Sequence, residues 1–169
     1  MTEPTSAESL NSNQPQSLKF RLAQTVFLFV SRFTRGMTLG VRGMVINAED
    51  QIFLVRHSYV NGWHMPGGGV EAGETLEEAL AKELREEGNI MINGEVRLMG
   101  VFLNQKASKR DHVAVYLVRH FEQSAPRLAD REIVETGFFP LDNLPVETTA
   151  ATRRRIAEVM AGLPRAQVW

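Results

Sequence analysis

The sequence predicts an α/β domain with a mixed sheet between helices, on three observations. Apolar runs of strand length alternate with amphipathic stretches, turn-forming clusters separate them, and one stretch carries both a helix start and a helix stop signal. Residues 37–47 and 52–57 read as strands joined by Ala48-Glu49-Asp50, a hairpin signal. Residues 58–65 form a loop in which Trp63 and His64 lead into Pro66-Gly67-Gly68-Gly69. A helix follows at 76–87. Thr75 and Glu78 make a capping box at its start, and Gly88-Asn89, tolerant of left-handed backbone, closes it. Strands at 96–103 and 112–121 bracket a polar loop carrying Lys106, Lys109 and Arg110, and another strand fits 133–139. After the turn at 140–145, a final helix runs over 148–161 and ends near Gly162, with Arg153, Arg154 and Arg155 expected on its exposed surface.

Ahead of this domain, residues 1–16 are polar, with almost nothing to bury, and are predicted to be a disordered tail. Residues 17–36 read as an amphipathic basic helix, with no acidic residue between Leu10 and Asn47. The apolar stretch at 26–30 is far too short to span a bilayer. Residues 18–35 suit packing on the domain, a homodimer contact, or peripheral contact with an anionic membrane. The domain itself is assigned to 37–163, and 164–169 to a C-terminal tail.

Composition narrows the class. A chain of 169 residues, 43% hydrophobic and with net charge −1, can bury a core and presents no broad basic surface, so no DNA binding is expected. It contains no cysteine, which excludes disulfides, thiolate metal sites and a cysteine nucleophile. The lack of a signal-peptide pattern suits a cytoplasmic location.

The charge is unevenly placed. Seven carboxylates fall between Glu71 and Glu87 against only Lys82 and Arg85. Leu76, Leu80 and Leu84 form the helix's apolar stripe, and Glu78, Ala81, Lys82 and Arg85 point roughly opposite. Glu83, Glu86 and Glu87 do neither: at about 100° per residue they flank the stripe on one side. Three carboxylates on a half-buried flank repel one another and lose hydration, a cost that a hard divalent cation would reverse. The plainer reading is a solvated acidic helix, with Lys82 pairing Glu78 and Glu86 at i,i+4.

Residues 68–90 resemble the Nudix box, G-x5-E-x7-R-E-U-x-E-E-x-G-U, in which U is a bulky aliphatic. Gly68, Glu74, Glu83, Leu84, Glu86, Glu87 and Ile90 fall in register, whereas Lys82 replaces the Arg and Asn89 the second Gly. The resemblance implies an α/β/α sandwich and a hydrolase that cleaves a nucleoside diphosphate linked to another group X, using Mg²⁺ or Mn²⁺. Under it, Glu83, Glu86 and Glu87 bind the metal, and Glu83 also orients or deprotonates water, with Glu86 essential to catalysis. A backbone carbonyl at Gly67 or Gly68 adds an oxygen ligand. Glu74 positions Lys82 or the turn. Many relatives add a distal Glu ahead of an aromatic pair; here Glu132, and after it Glu135, precede Phe138-Phe139. Arg56, His57, Trp63 and His64 are the candidate substrate contacts, for phosphate and for a base or sugar. Because Lys lacks the planar fork of Arg, a catalytically weak module that senses a nucleotide ligand is the alternative.

Overall fold

In a computed structural model, Val30 and residues 36–169 are described; the expected tail at 1–16 and basic helix at 17–36 lie outside them, Val30 and Gly36 apart. Residues 37–169 form one unit. Its elements are β1 (Thr38–Val45), β2 (Gln51–His57), β3 (Trp63–His64), α1 (Leu76–Gly88), β4 (Ile90–Ile92), β5 (Val96–Leu103), β6 (Asp111–Val118), β7 (Phe121–Gln123), β8 (Ile133–Pro140) and α2 (Ala150–Met160).

The capping box and the stop of α1 sit where local chemistry demands. Thr75 accepts from the Glu78 amide, Glu78 accepts from the Thr75 amide at 2.9 Å, and Asn89 takes the left-handed conformation at φ 52°. Leu80 and Leu84 are fully buried, and Leu76 packs at the edge of the same core.

The expected hairpin opens into two sheets. Asn47 does build the turn, accepting from the Gln51 amide at 2.8 Å, and Ile46 bridges Ile52. Beyond that, β1 pairs in parallel with β6, Thr38 opposite Asp111, while β5 pairs antiparallel on the other side of β6. β2 lies between β3 and β8, both antiparallel. The cause is burial on both faces. Val45, Ile46, Phe53 and Leu54 are all 0–1% exposed, so each strand takes outer partners rather than leaving one face to water.

Alternate residues of these strands feed two cores. Val41, Phe53, Val55 and Tyr116 pack with Leu80 and Leu84 of α1. Met44, Ile52, Leu54 and Val115 pack with Ile156 of α2. The sheets thus lie between helices, a mixed α/β arrangement.

One detail at the C-terminal end differs from the sequence reading. Arg155, expected at the surface, is 1% exposed. Its guanidinium lies 4.1 Å from the Phe102 ring and donates to Glu158 at 2.6 Å and to the Val168 carbonyl. Arg153 and Arg154 are exposed as expected, Arg153 hydrogen-bonding the carbonyls of Pro145 and Thr148 and Arg154 that of Trp169. The long arginine stem reaches under the chain end, where an aromatic face and an i,i+3 carboxylate replace water. Residues 164–169 are tied in along β5, the Leu103 amide donating to the Gln167 carbonyl and the Leu103 carbonyl accepting from the Trp169 amide, each at 3.0 Å. Arg155→Ala is expected to lower stability by about 2 kcal/mol, since it leaves Glu158 unpaired and Phe102 uncovered. Urea unfolding at constant slope checks this.

Candidate active site

The glycine turn is laced to β1 along its whole length. Every carbonyl from Met65 to Gly68 accepts a hydrogen bond from residues 41–43: Gly68 from the Val41 amide at 2.9 Å and Pro66 from the Gly43 amide at 2.8 Å. The Arg42 guanidinium donates to Met65 at 3.1 Å and also to Gly67. Gly67 sits at φ 140°, and a Cβ there would lie 2.1 Å from the Val41 carbonyl oxygen. A Cβ at Gly68 would lie 2.4 Å from a Glu83 carboxylate oxygen, so the bare backbone forms the wall against which Glu83 rests.

Helix α1 then presents its carboxylates at three depths. Glu87 is 7% exposed; it accepts from the Gly67 amide at 2.8 Å and stands 3.4 Å from Nε2 of His57. Burial pushes its pKa up to about 7, against the opposing pull of the Gly67 amide and Arg42. Glu83 is half-buried, and its carboxyl is raised by burial and then by the Glu86 charge, with Lys82 and Arg42 countering. Glu86 is exposed, 3.9 Å from Arg85. Lys82 turns instead to Glu74 at 2.8 Å and Glu71 at 3.5 Å, which fastens the loop entering the helix.

The second wall comes from β2 and the loop before β8. The β2–β8 register shifts between Arg56 and His57, so Val134 is left unpaired and His57 turns inward to Glu87. The His57 imidazole is held below its usual range by burial and by Arg42, and its Nδ1 is buried without a partner. His64, bonded to the Asn61 carbonyl at 3.0 Å, lies 6.0 Å from the His57 ring and is lowered chiefly by burial. Glu132 accepts from the Tyr59 hydroxyl at 3.4 Å, and its charge reaches Glu83, Glu87 and His57.

Of the residues singled out in the sequence, the fold gathers Glu83, Glu87, Gly68, His57 and Glu132, with His64 beside them. Three stand apart. Trp63 is 6% exposed, edge-on to Phe139 at 4.8 Å, and offers a ligand no open face. Arg56 pairs with Glu135 at 2.8 Å and lies 5.7 Å from the Trp63 ring, which also takes Glu135 away from the acidic group. Glu86 stands at the rim of the group, exposed to solvent but with its charge reaching Glu83. Arg42 and Tyr59 were not foreseen. A lone cation inside an otherwise apolar strand, between Gly40 and Gly43, was the available signal for Arg42.

Among the described residues no three carboxylate or histidine side chains form a ready-made metal shell. The donor set nonetheless fits a hard cation. Two carboxylates held above their usual pKa share a wall with a side-chain-free backbone, and both gain if a dication replaces the missing hydration.

A sequence model of the NUDIX domain matches residues 37–160. The chain is 29% identical over 127 residues to the NAD-capped RNA hydrolase NudC of Shigella dysenteriae, covering 73% of this chain and 48% of that protein. It thus spans about half the length of that relative. To an ADP-ribose pyrophosphatase of Methanocaldococcus jannaschii it is 31% identical over 105 residues, covering 60% and 61% respectively. A MutT NUDIX hydrolase from Burkholderia pseudomallei superposes with TM-score 0.63 at 26% identity, over 73% of this chain and 98% of that one. A UDP-X diphosphatase does so with TM-score 0.60 at 26% identity, over 86% and 74%.

Proposed function

The chain belongs to the Nudix family, and from that premise we propose that it hydrolyses the pyrophosphate bond of a nucleoside diphosphate linked to another group X, with Mg²⁺ or Mn²⁺. The single observation that carries this reading is the pairing of half-buried Glu83 and buried Glu87 against the Gly67–Gly68 backbone. Glu83, Glu86 and Glu87 hold the cation, and Glu132 stands across from them to complete the set or to take a proton. When bound, the cation supplies positive charge against the pyrophosphate oxygens and acidifies the attacking water.

The chain's own groups do the rest. Arg42 and the Val41 and Gly43 amides fix the turn, so the carboxylates meet a rigid wall rather than a mobile loop. The Gly67 amide orients Glu87 through one oxygen and leaves the other toward His57. Glu83, its carboxyl raised above the usual range by burial, is placed to accept the proton of the attacking water. Substrate approaches over His57 and His64, with Tyr59 exposed beside them.

The curated relatives act, by their names, on NAD-capped RNA and ADP-ribose, and a structural relative on UDP-X, so the panel follows. NAD-capped RNA, ADP-ribose, a UDP-sugar, nucleoside triphosphates, dinucleoside polyphosphates and 5′-triphosphate RNA are offered with and without Mg²⁺. Release of a nucleoside monophosphate or inorganic phosphate from at least one substrate, and only with the cation, is expected. Binding without turnover on all of them would replace the hydrolase with a nucleotide sensor.

A further inference from the structure

On the sheet face opposite α1 lies a cavity of about 250 Å³ that the reaction does not use. Its floor is apolar: Met44 from β1, Val115 from β6, and Met99 and Phe102 from β5. Its lip is cationic. Arg97 on β5 and Arg165 after α2 are both exposed, and neither meets a carboxylate among the described residues. Arg155 adds a third guanidinium from within, 1% exposed, with its Nε unpartnered. The one acid on the wall, Glu158, is already engaged by Arg155 at 2.6 Å and by the Ala166 amide at 3.1 Å.

With Arg155 neutralised by Glu158, the two guanidiniums of Arg97 and Arg165 over an apolar floor select for a ligand with two unlike ends. An uncharged apolar molecule would leave the guanidiniums unmet. A small inorganic anion would leave the floor wet. We propose that this cavity is a binding site for an amphipathic carboxylate of about ten heavy atoms, its hydrocarbon body on Met44, Met99 and Phe102 and its carboxylate at Arg97 and Arg165. A guanidinium fork takes a carboxylate through two parallel hydrogen bonds, and because Arg155 and Glu158 neutralise each other, the positive potential at the lip is that of Arg97 and Arg165. The site is separate from the acidic helix and stands whether or not the hydrolase reading does.

The test is octanoate titrated into the full chain carrying ¹³C-methyl methionine. Met44 and Met99 line the cavity, while exposed Met37 ahead of β1 and exposed Met91 on β4 are internal controls. Saturable shifts are expected at Met44 and Met99 with Met37 and Met91 unmoved. Octan-1-ol should bind at least about tenfold more weakly, because it brings no charge to the lip. The double variant Arg97→Glu, Arg165→Glu should lose at least about tenfold in octanoate affinity with its melting temperature held. The proposal is overturned by shifts that do not saturate or that move all four methionines alike. Equal affinity for the alcohol, or indifference to the charge reversal, would overturn it as well.

Discussion

Glu86→Gln is expected to slow turnover about 10²- to 10³-fold, equivalent to roughly 3–4 kcal/mol of transition-state stabilisation. The substitution removes one negative charge and one hard oxygen donor while keeping the shape of the side chain. The wild-type side chain is 60% exposed, and among the described residues its one ion pair is with Arg85 at 3.9 Å, so the fold has little to lose. Melting temperature should therefore move by no more than about 1–2 °C. Glu77→Gln, an exposed carboxylate on the same helix, is the companion control and should stay within about twofold of the parent rate. A near-normal rate for Glu86→Gln would remove this carboxylate from the metal set.

The metal-free protein should lose stability as pH rises from about 4.5 to about 7, on account of Glu87. Its carboxyl is raised in the folded state from 4.5 to about 7, so folding is favoured while the group is protonated and penalised once both states ionise. The full swing is about 3 kcal/mol, set by burial as the largest cause. Glu83, raised in the same sense, adds to it. His57 and His64 work the other way. Their folded values lie below 6.5, so they contribute stability that is lost as pH falls through that region. The difference between the parent and Glu87→Gln isolates the carboxylate, and urea unfolding in chelator at pH 5, 6, 7 and 8 measures it. The parent should grow progressively less stable relative to the variant across that series. A flat difference would mean that Glu87 is ionised throughout.

The parts of the fold legible in the sequence are those set within a few residues. Thr75, Glu78 and Asn89 define α1 because capping and left-handed closure are local chemistry, and strand β5 at 96–103 was equally plain. Pairing is not local. Nothing in the run through Ile46 and Ile52 says that the two strands, once turned, will part to β6 and β8. Arg155 shows the same limit from the other side: three consecutive arginines look like a solvated face until Phe102 and Glu158 are known to lie beneath one of them. At the site, helical spacing grouped Glu83, Glu86 and Glu87 on one flank but could not rank their depths, which β1 and the glycine turn determine. Arg42, 25 residues before Gly67 in the chain, reaches that turn only through the strand's position beside it.

The central claim is that the flank of α1 holds a divalent cation through its carboxylates, and Mn²⁺ binding followed by the electron paramagnetic resonance of free Mn²⁺ tests it without any substrate. The parent is expected to bind saturably, with Mg²⁺ competing. Glu83→Gln and Glu87→Gln should each weaken Mn²⁺ affinity by about tenfold or more, whereas Glu77→Gln leaves it unchanged. Equal Mn²⁺ affinity in the parent, Glu83→Gln and Glu87→Gln would contradict the claim and leave the helix a solvated acidic surface.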